Sequence, residues 1–201
     1  LEPIHRFATR FALHGGPKFS PDGRFVYFAS RDGWVSKFDI YNLKTVAEVR
    51  AGINTRNLAV SGDGKTVLVG NYLPHSLVLL DAEDLTLLKV IPTVGQDGKS
   101  SRVSAVYQAE PRNSFVAALK DTREVWEIAY GEKDFPIRRI SVDDYLDDFF
   151  FDQSYKLLIG TARDSHKGQV IDLDSGKKVA QLDLPGMPHL GSGITWDYQG
   201  R

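Results

Sequence analysis

The 201-residue sequence contains no cysteine. That excludes disulfides, thiolate metal sites, cysteine nucleophiles and thioether attachment of haem within the chain. It leaves the redox compartment open, because a chain without thiols is indifferent to it. Net charge is also scarce: 25 Lys+Arg against 26 Asp+Glu leave −1 at pH 7. Such a balance provides no general attraction to nucleic acid or anionic lipid. No run of about 18 apolar residues occurs, so no membrane-spanning helix is expected. Gly-rich phosphate loops, the His-Glu-x-x-His helix and the nucleophile elbow are absent as well.

What is present is the composition of a folded globular chain, 42% hydrophobic and 25% charged, which argues against disorder. Almost no segment carries a 3.6-residue apolar period over helical length. The acidic and aromatic stretch Val142–Phe151 is the exception and is expected to hold one helical turn. Short strands dominate instead, and they repeat. Ser20-Pro21-Asp22-Gly23-Arg24 leads into Phe25–Ala29, and Ser61-Gly62-Asp63-Gly64-Lys65 leads into Thr66–Gly70, an offset of 41 residues. Asp-Gly supports a tight turn with positive φ at the glycine. Degenerate copies start at Glu110 before Phe115–Leu119 and at Phe151 before Leu157–Gly160. An apolar strand ending in an acid recurs in phase, at Asp39, Asp81, Glu127 and Asp172, with offsets of 42, 46 and 45 residues.

Four strands per repeat of roughly 40–45 residues is the β-propeller period. The expected fold is all-β: one partial propeller domain over 1–201, with blades at about 18–55, 56–101, 102–146 and 147–190 and the start of a fifth from 191. Four blades and a fragment suggest a piece of a larger ring.

Ligands of propellers usually sit over the central channel, so the informative residues flank the first strand of each repeat. They are His14, Arg31, Asn54, Arg56, Tyr72, Arg102, Glu110, Lys120, Asp147 and His189. Imidazole for iron, guanidinium for carboxylates and aromatic faces for a ring are what an anionic, metal-bearing tetrapyrrole requires. The plainer alternatives stay open at this point: His14 as a loop histidine bonded to a backbone carbonyl, His189 as a solvated turn residue, each arginine as a surface or inter-blade hydrogen bonder. Asp143, Asp144, Asp147 and Asp148 do not follow calcium-loop spacing. His5, His75 and His166 read as surface residues.

An ordered set of segments sharpens this reading. Arg6–His14, Ser20–Phe25, Ser30–Gly33, Ile53–Asn57, Asn71–Pro74, Arg102–Val106, Tyr145–Asp148 and Pro188–Gly193 together resemble the haem d1 propeller of cytochrome cd1 nitrite reductases, in order and over essentially the whole chain. The resemblance implies an eight-bladed propeller of which this chain is about the first half. It implies His14 as the proximal iron ligand, Arg31 and Arg56 as partners of the macrocycle's carboxylates, with Arg102 a further candidate, Tyr72 in the pocket wall, and His189 among the cofactor-binding residues. Two distal histidines of the nitrite reductases fall at Glu110 and Asp147, where carboxylates disfavour nitrite binding. This points to the NirF-type branch, which serves late steps of haem d1 biosynthesis. Glu110 and Asp147 then become candidates for acid–base work on a tetrapyrrole side chain, if burial raises their pKa values. The cofactor would be haem d1 or its dihydro precursor. Partners would be nitrite reductase and other haem d1 assembly proteins, and no nucleic acid. The location would be the periplasm of Gram-negative denitrifiers, in some members through a lipid anchor. Enzyme, carrier and scaffold all remain open. So do the nitrite reductase itself, a dihydro-haem d1 dehydrogenase branch with its own c-type haem domain, and a propeller that binds no cofactor.

Overall fold

A computed structural model describes residues 2–164 and 167–183. The fifth-repeat strand expected from Gly193 lies outside the described residues. Among the described residues, sixteen strands form four antiparallel sheets, each a meander in sequence order. The first holds β1 (Lys18–Phe19), β2 (Phe25–Ala29), β3 (Trp34–Asp39) and β4 (Lys44–Arg50). The second holds β5 (Asn54–Val60), β6 (Thr66–Leu73), β7 (Ser76–Asp81) and β8 (Leu87–Pro92). The third holds β9 (Val103–Ala109), β10 (Ser114–Leu119), β11 (Glu124–Ala129) and β12 (Ile137–Ser141). The fourth holds β13 (Asp148–Phe151), β14 (Leu157–Thr161), β15 (Lys167–Asp172) and β16 (Lys177–Asp183). First strands of successive sheets pack together, β1 on β5, β5 on β9 and β9 on β13. Last strands such as β4 and β16 are mostly exposed. The arrangement is that of propeller blades, with the first strand innermost.

The core lies between blades, and the two-residue period of a strand explains how one blade serves two cores. On β10, Phe115, Ala117 and Leu119 join a cluster with Leu68, Leu77 and Leu79 of the second sheet. The alternate residues Val116 and Ala118 face Phe149, Leu158 and Ile171 of the fourth. Both faces are covered, so β6, β7, β10 and β11 read as nearly continuous apolar runs rather than alternating ones.

The turn repeat has one geometry in all four copies. Gly23 donates to Ser20 O at 2.8 Å, Gly64 to Ser61 O at 2.9 Å, Asn113 to Glu110 O at 2.9 Å and Tyr155 to Asp152 O at 3.0 Å. The donor residue is left-handed each time, at φ 71°, 72°, 49° and 56°. In the first two copies a serine also holds the aspartate two residues on, Ser20 Oγ to Asp22 at 2.5 Å and Ser61 Oγ to Asp63 at 2.6 Å.

One local expectation is corrected. Val142–Phe151 holds no helical turn: residues 148–151 are β13, paired with β14 from Asp148 opposite Thr161 to Phe151 opposite Leu158. Phe149 is buried in the core between the third and fourth sheets, so sheet pairing overrides local preference. The helical segment among the described residues is a short 3-10 turn, Glu110–Arg112. No helix there is long and apolar enough to cross a membrane.

Candidate functional site

Strands in each blade run alternately up and down, so two sets of connections gather at opposite ends of the channel. The loops entering β1, β5, β9 and β13 share one end with the turns joining second to third strands. That end carries His14, Arg31, Arg56, Tyr72, Arg102, Lys120, Asp147 and Arg163.

His14 sits in the loop before β1 and is half-buried. Its backbone N–H donates to Ala29 O at 3.1 Å. Its ring Nδ1 lies 2.5 Å from the carbonyl oxygen of Arg56. A carbonyl only accepts, so Nδ1 carries the proton and the ring lone pair belongs to Nε2. Both features proposed for this residue are therefore compatible: a bond to a backbone carbonyl is how a ligating imidazole is commonly oriented.

Arg56, on β5, lies with its guanidinium 4.2 Å from the Tyr72 ring centroid, and Arg102 lies 5.2 Å from the same ring. Burial pushes the Arg56 pKa down; Tyr72 opposes this, and the neighbouring cations Arg31 and Arg102 add smaller contributions in the same direction as burial. Arg56 Nε is buried without a hydrogen-bond partner, as is Asn54 Oδ1 on the same strand. Arg102 is differently placed. It forms a fork with Asp121, Nε to Oδ2 at 2.9 Å and Nη2 to Oδ1 at 2.5 Å, which raises its pKa and lowers that of Asp121.

Lys120 pairs with the buried Asp147, and Asp147 Oδ2 also accepts from the Arg163 backbone N–H at 2.8 Å. The Lys120 ammonium lies 5.5 Å from the Tyr145 ring. Burial lowers its pKa most, then Arg102 and Arg163. Among the described residues no three His, Cys, Asp or Glu side chains converge on one point as a metal cage. The donor set suits a metal whose other ligands come from a macrocycle, with one imidazole beneath it and several guanidiniums at its edge. The unpartnered Arg56 Nε, crowded by like charge, fits the carboxylate of such a ring.

The cytochrome D1 heme domain family model matches residues 1–201. The chain belongs to this family. It is 64% identical over 202 residues to the dihydro-heme d1 dehydrogenase of Pseudomonas aeruginosa, covering 100% of this chain and 41% of that protein. The solved structure of dihydro-heme d1 dehydrogenase NirN in complex with DHE superposes with a TM-score of 0.92 at 64% identity, over 100% of this chain and 43% of that one. Protein NirF of P. aeruginosa is 34% identical over 126 residues, covering 61% of this chain and 32% of that protein. A hydrazine synthase from Kuenenia stuttgartiensis shares the fold, with a TM-score of 0.70 at 20% identity over 90% of this chain and 52% of its own. The chain thus spans about two fifths of its dehydrogenase relative. The strong likeness to NirF expected from the sequence is partial, while the likeness to the dehydrogenase runs the whole length.

Within this d1 heme domain the structure brings together His14, Arg56, Tyr72 and Arg102, with Arg31 close enough to act on Arg56. Asp147 is at the same end but already holds Lys120 and a backbone N–H. Glu110 is elsewhere. It follows β9, eight residues beyond Arg102, which is roughly 25 Å along a strand. Its side chain packs beside Gly62 in the opposite-end turns, and it is exposed. The expectation that Glu110 joins the site is corrected by this topology. His189 lies outside the described residues. Sequence reasoning missed Asp121, Tyr145 and Arg163. A signal was available, since Arg31-Asp32, Lys120-Asp121 and Arg163-Asp164 repeat one basic–acidic dipeptide at the same turn of three blades.

Proposed function

We propose that this chain is the first half of the d1 propeller of a dihydro-haem d1 dehydrogenase, and that it binds dihydro-haem d1 and its product haem d1. The observation that carries the reading is the double use of Arg56. Its carbonyl orients the His14 imidazole at 2.5 Å, and its half-buried side chain keeps a buried Nε–H without a partner. Identity of 64% across the whole chain favours the dehydrogenase over a NirF-type role. When bound, the haem iron supplies the redox chemistry. The residues of this chain would bind and orient it: His14 on the iron, Arg56 and Arg31 on carboxylates, and Tyr72 in the pocket wall. Asp147 serves to hold Lys120, whose ammonium is a further carboxylate partner. The groups that move substrate protons belong, on this reading, to the remainder of the ring or to His189. Nitrite reductase and other haem d1 assembly proteins are the partners it names, and the periplasm the location.

The test is a visible-absorption titration of the full-length protein with dihydro-haem d1, beside His14→Ala. A saturable band shift in the parent, altered in the variant, and conversion of the bound precursor to the haem d1 spectrum once a one-electron acceptor such as ferricyanide is supplied, two equivalents per precursor, support the reading. Binding without conversion would indicate a carrier. No band shift in either protein would leave a scaffold that binds no tetrapyrrole.

A further inference from the structure

Two glycines follow His14, and both are left-handed, Gly15 at φ 80° and Gly16 at φ 68°. A Cβ on Gly15 would stand 2.4 Å from Asn57 Oδ1 and 3.0 Å from Arg56 O. The close seating of this loop on β5 thus excludes any side chain. Backbone bonds tie the chain up to His14 to the first blade, His14 N–H to Ala29 O at 3.1 Å and Arg31 N–H to Ala12 O at 3.0 Å, and the Gly15 carbonyl beyond them needs an anchor of its own. The anchor comes from the next strand. Lys18 Nζ, on β1, donates to Gly15 O at 3.0 Å. The same ammonium lies 5.7 Å from the Tyr107 ring centroid on β9. Burial lowers the Lys18 pKa, and Asp148 on β13 opposes that effect, which places the carboxylate within electrostatic reach. Tyr107 Oη donates to Asp148 Oδ1 at 2.7 Å, and Phe149 meets the Tyr107 ring edge-on at 5.0 Å. Tyr107 on the third blade thus meets Lys18 of the first and Asp148 and Phe149 of the fourth.

We propose that Lys18 is a positioning residue for the axial ligand: seated against the Tyr107 ring, it fixes the Gly15 carbonyl and with it the tilt and height of the His14 imidazole. The proposal rests on the reading in which His14 binds the haem iron. An ammonium that donates to a carbonyl beside an aromatic face has few alternative positions. A Gly-Gly loop has many, so the pin removes freedom that the loop itself does not restrict. Lys18 is distinct from the residues assigned to the ligand, and its effect reaches the iron only through His14.

The experiment compares full-length parent, Lys18→Met, Lys18→Arg and Tyr107→Phe, each loaded with haem d1. The readouts are the electron paramagnetic resonance signal of the ferric form and the visible band, both sensitive to axial imidazole geometry. Lys18→Met is expected to bind with Kd within about threefold of the parent but to shift or broaden the axial signature. Lys18→Arg should restore it in part, and Tyr107→Phe should move it in the same direction by less. A Lys18→Met protein with the parent signature overturns the proposal, as does one whose only change is a lower Tm. If Lys18→Met fails to fold, Tyr107→Phe decides by the same criterion. A parent that binds no haem d1 overturns the functional reading first, and this proposal with it.

Discussion

His14 and Arg56 are 42 residues apart and meet through one hydrogen bond, imidazole Nδ1 to the Arg56 carbonyl oxygen. The bond uses the main chain of Arg56, so the side chain is free to vary without losing it. Arg56→Gln should therefore separate the two functions of this residue. Losing charge-assisted bonds to a ligand carboxylate removes about 2 kcal/mol, or roughly thirtyfold in Kd. The position of the axial-ligand band should stay as in the parent. A titration with haem d1 that showed unchanged affinity would remove Arg56 from the ligand's partners. A displaced band would mean that the guanidinium also holds the loop.

The Tyr72 ring meets two guanidiniums, Arg56 at 4.2 Å and Arg102 at 5.2 Å from its centroid. The ring face, not the hydroxyl, makes these contacts. Tyr72→Phe is expected to keep haem d1 affinity within about twofold, whereas Tyr72→Leu should weaken it about tenfold, since each cation–π contact contributes on the order of 1 kcal/mol. Equal affinity of the Phe and Leu variants would show that the ring does not order the arginines.

Gly33 and Gly23 are both left-handed, at φ 92° and 71°. Their surroundings differ. A Cβ on Gly33 would fall 1.9 Å from Gly52 O, while one on Gly23 meets nothing within 4 Å. Gly33 also accepts backbone N–H bonds from Ala51 and Gly52, at 2.8 and 3.2 Å, which tie the first blade to the entry of the second. Gly23→Ala should cost about 1 kcal/mol from backbone conformation alone. Gly33→Ala adds a main-chain clash and should cost more than about 3 kcal/mol. Urea midpoints of the two full-length variants test the order, and a Gly33→Ala midpoint equal to that of Gly23→Ala would refute it.

These glycines also show what was legible in the sequence. Ser-Pro-Asp-Gly and Ser-Gly-Asp-Gly carry their turn geometry in a serine and an aspartate two residues apart and a glycine after them, so the repeat and the blade fold could be read directly. The degenerate copies put the same backbone on Asn113, a residue that tolerates left-handed φ, and on Tyr155, for which no residue-type rule indicates it. Glu110 was legible in principle: as the first residue of the third turn it is the counterpart of Ser20 and Ser61, and the repeat alone puts it at the far end of β9. Its distal assignment came from a family resemblance applied over that topology. The Arg56–Tyr72–Arg102 group could be listed but not assembled, because cation–π contacts depend on side-chain directions at the ends of different strands. The Lys120–Asp147 pair escaped for a related reason, since a single acid in an acidic run does not announce its partner 27 residues away.

Tyr27 links stability to alkaline pH. It is 1% exposed, and its hydroxyl donates to Ala82 O of the second blade at 2.7 Å. Burial pushes its pKa up from 10.0 to about 12, with smaller contributions from Asp22 and Asp81. The unfolded chain loses this proton near pH 10, and the folded chain keeps it until about pH 12. Across that window the unfolded state binds fewer protons, so unfolding becomes easier as pH rises. The contribution is complete below pH 10 and declines by at most about 2.7 kcal/mol by pH 12. Tyr27→Phe removes the ionisable group and one hydrogen bond. It should unfold about 1 kcal/mol more readily at neutral pH yet show a shallower fall in urea midpoint above pH 10. Lysines titrate in the same range in both proteins, so the difference between the two pH profiles isolates the tyrosine. Parallel profiles would mean that the Tyr27 hydroxyl ionises alike in the folded and unfolded chain, and that the contact with Ala82 does not hold its proton.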